Sequence, residues 1–246
     1  MKQKKSKRKI STKILFLIQQ ILAVGILIAS IVEIFITEND ESRSRMIFNS
    51  LMAFAFLISS YIPMIVEKAW KINIPTAVEI IYIVFATLSL ILGEIGDFYV
   101  KYRWWDSMLH TMSGVILGCI GFMIINLCNG NEHVKSFKLG AGFAAIFVFS
   151  FTLMCGSIWE IVEWLADTIN GTNMQRYQDN ISGVGLVGRD ALFDTMKDLM
   201  LDAAGGLLVS ILGYIDIKLN KGLVNRLKFE KLEENKNQIN EESPQV

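Results

Sequence analysis

The sequence predicts an all-α integral membrane protein, a polytopic bundle of about six transmembrane helices. Two observations lead to this class. Hydrophobic residues make up 52% of the 246 residues and the mean hydropathy is +0.41, although 20% of the residues are charged. The charges collect at the two ends of the chain and in short loops, and long apolar stretches separate them. A bilayer imposes such segregation, because a transmembrane helix needs about 20 mostly apolar residues.

Six apolar segments are long enough to cross the hydrocarbon, and each must be helical because a chain in lipid has to satisfy its backbone hydrogen bonds internally. Pro63 falls late in the second segment and predicts a kink there. The predicted organisation is a basic N-terminal segment over residues 1–13, a transmembrane domain over 14–217 and a polar tail over 218–246. The six segments cover residues 14–37, 46–66, 76–98, 107–128, 139–168 and 192–217.

The distribution of lysine and arginine predicts the orientation of the bundle. With the N-terminus in the cytoplasm, about 17 basic residues lie on that side and about 6 on the other. Both termini are therefore expected to be cytoplasmic, in a multi-pass protein of the cell (plasma) membrane. The basic ends are explained by this topology and by anionic lipid headgroups, so no nucleic-acid partner is expected. The tail after Gly222 is rich in Lys, Glu and Asn and is expected to form a surface helix.

Ionisable side chains are concentrated at one end of the predicted bundle. Because successive helices alternate in direction, the end of the third, the start of the fourth, the end of the fifth and the start of the sixth lie on the same side. At 1.5 Å per residue, their polar groups fall in a layer about 10 Å thick near the outer edge of the hydrocarbon. This layer contains Glu94, Asp97, Asp106, His110, Glu160, Glu163, Asp194, Asp198 and Asp202.

Several carboxylates around one imidazole cannot all stay ionised at low dielectric without compensating cations. Bound metal, shared protons, or pairing with Lys197, Arg103 or Arg189 would each supply that compensation. Most members of the layer also have an ordinary interpretation, as helix-end charges, an N-cap or a satisfied buried histidine. Asp202 differs, because it lies inside an apolar run, where an ionisable residue is a functional candidate by default. The small residues Ala203 to Gly206 after it would let another helix approach closely.

Three motifs occur in order in the second half of the chain: Trp105-Asp106-x3-His110-x3-Gly114, Ile158-Trp159-Glu160-x2-Glu163-Trp164 and Phe193-Asp194-Thr195-x2-Asp198-Leu199-Met200. Together they resemble the signatures of the YjdF-like family of uncharacterised bacterial inner-membrane proteins. The resemblance covers about residues 90–215 and departs from the family pattern at Leu192-Phe193, where a Pro-Trp-like pair is usual. It implies a shared membrane fold and selects the acidic residues and the histidine of these motifs, but it supplies no reaction.

The first functional hypothesis is a divalent-metal-dependent enzyme at the outer membrane interface, acting on a lipid or a lipid-linked phosphate. Carboxylate oxygens suit Mg²⁺ or Mn²⁺, and a single histidine among them also suits Mn²⁺, Fe²⁺ or Zn²⁺. The loop from Gly171 to Gly188, with Arg176 and Arg189, is expected to cover the substrate. The predicted catalytic residues are Glu163 and Asp202, and the predicted metal ligands are Asp106, His110, Glu160, Asp194 and Asp198.

Two other classes remain open. A proton- or cation-coupled transporter would use the same carboxylates, although the sequence shows no inverted repeat and the acids lie at one rim rather than at the midplane. A structural or partner-binding membrane protein would neutralise them with a partner's basic residues. The sequence contains no Walker A, HExxH or GxSxG motif, and its two histidines exclude three-histidine zinc chemistry. The three cysteines lie in apolar segments without CxxC spacing and are expected to be small core residues.

Overall fold

The computed structural model describes residues 10–129, 139–180, 182–227 and 229–231. Within these residues, six helical stretches are long and apolar enough to cross a membrane, which confirms the predicted fold class. The elements in chain order are α1 (Ile10–Ile36), α2 (Asp40–Ser59), α3 (Ile62–Trp70), β1 (Ile72–Asn73), α4 (Thr76–Ala86), a π-helix (Thr87–Ile95), α5 (Phe98–Lys101), α6 (Arg103–Asn129), α7 (Ala141–Asn170), α8 (Arg189–Lys218), a 3₁₀ turn (Val224–Arg226) and β2 (Glu230–Lys231).

The second transmembrane segment is interrupted where the sequence predicts a kink. Helix α2 ends at Ser59, and α3 begins at Ile62 with Pro63 in its first turn. Proline has no backbone N–H, and its ring clashes with the carbonyl four residues earlier, so a continuous helix cannot pass through it. The Ser59 carbonyl instead accepts a hydrogen bond from the Tyr82 hydroxyl at 2.8 Å. The third segment thereby holds the kink in place.

The third transmembrane segment changes from α-helix to π-helix at Thr87 and ends at Ile95, three residues before its predicted end. Asp97 then adopts a left-handed backbone conformation, with φ of 62°, and reverses the chain into the short helix α5. This reversal returns Tyr99 against the π-helix, where its hydroxyl lies 3.1 Å from the Ser89 hydroxyl. A side chain at Gly93 would overlap the Tyr99 ring, so the glycine is required for this close approach.

Helices α6, α7 and α8 form the densest part of the bundle. A Cβ atom added at Gly205 would lie 2.8 Å from the carbonyl oxygen of Thr111, and one added at Gly114 would lie 2.6 Å from that of Asp202. The backbones of α6 and α8 therefore touch at this point, as the small residues after Asp202 predict. On the side of α8 facing α7, Gly206 accommodates the side chain of Thr152.

The described part of the tail is not the surface helix that the sequence predicts. The Asp216 carboxylate accepts backbone hydrogen bonds from Leu223 and Val224, at 2.9 and 2.8 Å, and Val224 is buried. The chain then forms a 3₁₀ turn and the strand β2, which pairs antiparallel with β1. A buried carboxylate cap and an apolar anchor thus hold the tail onto the bundle. Residues 232–246 and most of the predicted basic segment lie outside the described residues.

Candidate metal centre

Most of the polar layer predicted from the sequence meets in one pocket of the structure, whereas Asp97 lies outside it as the ion-pair partner of Arg45. The start of α6, the end of α7 and the start of α8 meet at one end of the bundle, and each helix turns an acidic face inward. Asp198 and Asp202 are each only 1% exposed, which is unusual for carboxylates. All seven predicted site residues are buried: Asp106, His110, Glu160, Glu163, Asp194, Asp198 and Asp202.

The His110 ring is held by a carboxylate behind it. Its Nδ1 atom lies 3.2 Å from Oδ2 of Asp202, whose other oxygen lies 2.5 Å from the hydroxyl of Ser113. An Nδ1 proton donated to this carboxylate leaves Nε2 as the nitrogen with the free lone pair, as in many metal-binding histidines. Nε2 faces the pocket and lies 3.6 Å from Oδ1 of Asp106. Asp202, predicted to be catalytic, is thus placed as the partner of His110.

Two overlapping groups of three residues have the spacing of metal ligands. In each group, one potential ligand atom from every residue lies within 4.8 Å of the others. Ligands on opposite sides of a divalent ion at about 2.1–2.4 Å are separated by about 4.2–4.8 Å, so these spacings fit an ion between them. His110 belongs to both groups, which are Asp106–His110–Asp198 and His110–Glu160–Glu163. Four of the five predicted ligands therefore come together, with Glu163 beside them.

Two oxygens in this pocket are buried without a hydrogen-bond donor among the described residues, Oδ1 of Asp198 and Oε1 of Glu160. The Lys197 ammonium lies 3.4 Å from Oδ1 of Asp198, an ion pair that lacks hydrogen-bond alignment. Buried polar atoms in proteins almost always have a partner, because an unpaired one costs about 1–3 kcal/mol. Carboxylate oxygens that accept no hydrogen bond, beside a histidine nitrogen, are the atoms that a cation would bind.

Asp194, the fifth predicted ligand, belongs to neither group. Its Oδ1 lies 2.6 Å from Nζ of Lys197 and 3.7 Å from a guanidinium nitrogen of Arg176. Both cations also approach Asp106 Oδ2, Arg176 at 3.5 Å and Lys197 at 3.8 Å. Lys197 thus neutralises acidic groups of the pocket, which is one of the predicted pairings. Arg103 and Arg189 are exposed, and the second cation at the pocket is Arg176. The Asp194 carboxylate therefore forms ion pairs with two cationic side chains, Lys197 and Arg176, at the edge of the pocket.

Arg176 reaches the pocket because the loop after α7 is folded back over it. Helix α7 ends at Asn170, and Gly171 directly after it adopts a left-handed conformation with φ of 65°. The buried carboxylate of Asp167 then accepts hydrogen bonds from the Thr172 hydroxyl and from two backbone N–H groups, those of Met174 and Gln175, at 2.6–3.0 Å. Asp167 is not among the predicted site residues, although it lies four residues after Glu163 and therefore on the same face of α7. The loop was expected to cover the pocket, and its fold does so.

Gln175 and Tyr99 are two further residues of the site that the sequence did not predict. Gln175 Nε2 donates to the Thr195 hydroxyl at 3.0 Å and lies 3.4 Å from Oε2 of Glu160, so it links the loop to α7 and α8. Burial raises the pKa of the Tyr99 phenol, which therefore stays protonated at neutral pH and can donate a hydrogen bond. Neither residue belongs to a recognisable sequence motif. Each reaches the pocket through an irregular segment of backbone, the turn at Asp97 for Tyr99 and the loop after α7 for Gln175.

Two cavities meet at this site. The first, here called the membrane cavity, has a volume of about 210 Å³ and lies between the helices. The second, here called the loop cavity, has a volume of about 240 Å³ and lies under the loop after α7. Tyr99 and Asp106 line both. Asp106 thus lies where the two spaces meet, with His110 on the membrane cavity and Glu163 on the loop cavity.

Comparisons with known proteins agree with this architecture. A Thermotoga maritima protein described only as "Uncharacterized protein" is 24% identical over 153 residues, which cover 62% of this chain and 69% of the relative. No solved structure matches the chain. Residues 18–218 match the model of the family described as "Predicted membrane protein (DUF2238)", in agreement with the resemblance to YjdF-like membrane proteins. That match begins within α1, runs to the end of α8 and includes every candidate site residue, and the chain belongs to this membrane-protein family.

Proposed function

We propose that this protein is a divalent-metal-dependent enzyme at the outer membrane interface, acting on a lipid or lipid-linked substrate. One observation carries the proposal. His110 is fixed by Asp202 with its Nε2 atom facing a pocket in which one carboxylate oxygen each of Asp198 and Glu160 accepts no hydrogen bond from the described residues. These donors come from three different helices and leave the centre open toward two cavities. A purely structural polar cluster would be expected to satisfy its own oxygens.

The donor set indicates which ions fit. Carboxylates with a single imidazole suit Mg²⁺, Mn²⁺ or Zn²⁺. Asp106, His110 and Asp198 would form one side of the centre, and Glu160 would bind from α7. Such an ion supplies Lewis acidity, which polarises a substrate oxygen and makes a bound water easier to deprotonate.

The residues of the chain around the ion would orient the substrate and transfer protons. Glu163 Oε1 accepts a hydrogen bond from the indole of Trp159 at 2.7 Å, which fixes the carboxylate with its second oxygen free to accept a proton. Arg176 and Lys197, both held by Asp194, would stabilise negative charge that develops on the substrate. Asp202 acts through His110, so we assign it a positioning role in place of the predicted catalytic role.

The geometry gives less support to the other two classes. A proton- or cation-coupled transporter needs a polar route through the bundle, but an apolar cluster of Phe122, Ile125, Ala144 and Val148 fills the opposite end of α6 and α7. A partner-binding surface needs accessible acidic groups, whereas these carboxylates are buried. We further propose that the protein lies in the plasma membrane with both termini in the cytoplasm, which places the site on the outer side.

Metal binding by the purified protein tests the proposal. The wild type, dialysed against Mn²⁺ or Zn²⁺, is expected to retain the ion. Asp198→Asn and Glu160→Gln should each lower the affinity at least tenfold, since each removes the charge from a candidate ligand. Asp190→Asn is the matched control, because it removes an exposed acid from the same helix as Asp198. Circular dichroism would establish that every variant is folded.

Two results would overturn the proposal. One is a wild-type protein that binds neither ion in calorimetry or by elemental analysis. The other is a set of folded variants that bind metal as tightly as the Asp190→Asn control does.

A further inference from the structure

We propose that the substrate is a lipid phosphate whose hydrocarbon chain lies in the membrane cavity and whose phosphate-bearing head lies in the loop cavity. The inference deepens the proposed function, because it names the substrate class of the same site. It rests on a different observation, the shape and lining of the two cavities. Lipid binding can therefore be tested separately from metal binding.

The membrane cavity has the form and lining that a hydrocarbon chain needs. Along α6 it extends from Asp106 to Leu117, eleven residues or roughly 16 Å of helix. Phe85, Leu109 and Leu117 supply apolar walls, and Cys155 of α7 lines the space between them. A water-soluble substrate would leave such a space empty or hydrated, whereas an alkyl or isoprenoid chain would bury its surface there.

The inferred route of a lipid chain into the membrane cavity passes beside Trp159. Trp159 lines the cavity and is at the same time 39% exposed on the outer surface of the bundle, at the level of the metal ligands. The indole therefore lies between the cavity and the surrounding lipid. Because lipids diffuse in the plane of the bilayer, a chain can enter at this point without leaving the membrane. The indole is suited to an interface between hydrocarbon and polar headgroups.

The loop cavity is lined by groups that bind a phosphate-bearing head. Arg45 and Arg176 face it with the side chains of Thr172, Asn173 and Asn180, and the acidic residues Glu94, Asp106 and Glu163 also line it. A divalent ion bound by the acidic residues would offset their charge beside a phosphate. The contacts of Arg176 with Asp106 and Asp194 are 3.5 and 3.7 Å long, whereas a charge-assisted hydrogen bond is about 2.7–2.9 Å. The carboxylates thus leave its guanidinium donors incompletely used. Arginine is the side chain that binds phosphate oxygens in a bidentate manner.

The position of the junction selects the lipid phosphate over other amphiphiles. Asp106 and Tyr99 separate the two spaces, so a molecule that fills both places the link between chain and head beside the candidate metal ligands. Arg45 already pairs with Asp97 and Arg176 with Asp106 and Asp194, and a neutral lipid would offer no anionic oxygen to the donors that remain on these guanidinium groups. Inorganic phosphate would leave the membrane cavity unfilled. Only a lipid phosphate uses both the cationic groups and the apolar walls.

Photo-crosslinking in nanodiscs tests this inference. The probe is phosphatidic acid with a diazirine near the end of one acyl chain, added with Mn²⁺ or with a chelator. A second probe is an isoprenyl phosphate with the same photoreactive group, which distinguishes the two sources of a lipid phosphate. Crosslinks are expected at Leu117 and Cys155 and should fall at least tenfold in Leu117→Trp, which fills the cavity. Ile161→Trp, on the lipid-facing side of α7, is the matched control and should crosslink as the wild type does.

The head is tested with diazirine-labelled diacylglycerol, which has the same chains without the phosphate. It should crosslink at these positions at least fivefold less, and Arg176→Gln should abolish the preference for the phosphate. Crosslinks spread over the outer surface of the bundle, or unchanged in Leu117→Trp, would overturn the inference. If metal still binds when specific crosslinks are absent, only the substrate assignment fails. If crosslinks appear but no metal binds, only the proposed function fails.

Discussion

Nδ1 of His110 lies 3.2 Å from Oδ2 of Asp202, although 92 positions separate the two residues in the chain. Helices α6 and α8 bring them together because Gly114 and Gly205 allow the backbones to touch beside this pair. The contact fixes the imidazole with Nε2 toward the pocket. The close packing of α6 against α8 therefore also determines the orientation of His110, a potential metal ligand.

Asp202→Asn tests the positioning role of this carboxylate. An asparagine can present its NH₂ group to Nδ1, which would move the ring proton to Nε2 and remove the lone pair that a metal needs. Loss of a partner of this kind commonly weakens metal affinity about 10–100-fold. Calorimetric titration of the purified variant with Mn²⁺ or Zn²⁺ measures the change.

Ser113→Ala is the matched control for this variant. It removes the hydroxyl that lies 2.5 Å from Asp202 but leaves the contact between Asp202 and His110 in place. Its affinity should stay within about tenfold of the wild type. Equal affinities in the wild type and a folded Asp202→Asn variant would show that the orientation of His110 does not control metal binding.

The fold could be predicted from the sequence because a bilayer imposes strong one-dimensional constraints. Span length, charge segregation and the effect of Pro63 follow from the solvent and from backbone chemistry alone. The alternation of helix direction also placed Asp106, His110 and Glu160 at one end of the bundle without any knowledge of helix contacts. These parts of the prediction needed no three-dimensional information.

The finer structure of the site could not be predicted, because it depends on side-chain direction and on irregular backbone. Asp194 lies on the same face of α8 as Asp198, yet it is one turn nearer the start of the helix, where it contacts Lys197 and Arg176. Tyr99 joins the pocket through a π-helix and a left-handed residue, neither of which has a sequence signature here. The tail was expected to be helical from its composition, whereas its first residues, Leu223 and Val224, are held in another conformation by the buried Asp216.

Gly205→Ala should destabilise the protein, because the added Cβ atom would lie 2.8 Å from the Thr111 carbonyl oxygen and 3.0 Å from the Val115 nitrogen. Both are backbone atoms, so the helices have to separate, and overpacking of this kind costs about 1–3 kcal/mol. Gly25→Ala is the control, since no atom lies within 4 Å of its added Cβ. Alanine there should be neutral or stabilising by up to about 1 kcal/mol. Thermal unfolding in detergent compares the two, and similar melting temperatures would contradict the close approach of α6 and α8.

Asp167→Ala should release the loop that covers the pocket while the bundle stays folded. The carboxylate accepts hydrogen bonds from the Thr172 hydroxyl and from the backbone of Met174 and Gln175. A hydrogen bond to a charged acceptor contributes about 1.5–3 kcal/mol, so the two amides should exchange with solvent at least tenfold faster. Hydrogen-exchange mass spectrometry measures this, with the exposed Asp190→Ala as control. Unchanged protection at both amides would mean that other contacts hold the loop.

The proposed orientation predicts which cysteines an impermeant maleimide can reach in intact cells. Cys128 is exposed near the end of α6 that faces away from the metal centre, so it should react only after the membrane is permeabilised. A Val187→Cys variant without Cys128 places a thiol in the loop over the site, at a position that is 85% exposed, and it should react without permeabilisation. Replacing Cys119 and Cys155 by alanine in both variants removes competing thiols. The reverse labelling pattern would place the site on the cytoplasmic side, since the two reporters lie at opposite ends of the same bundle.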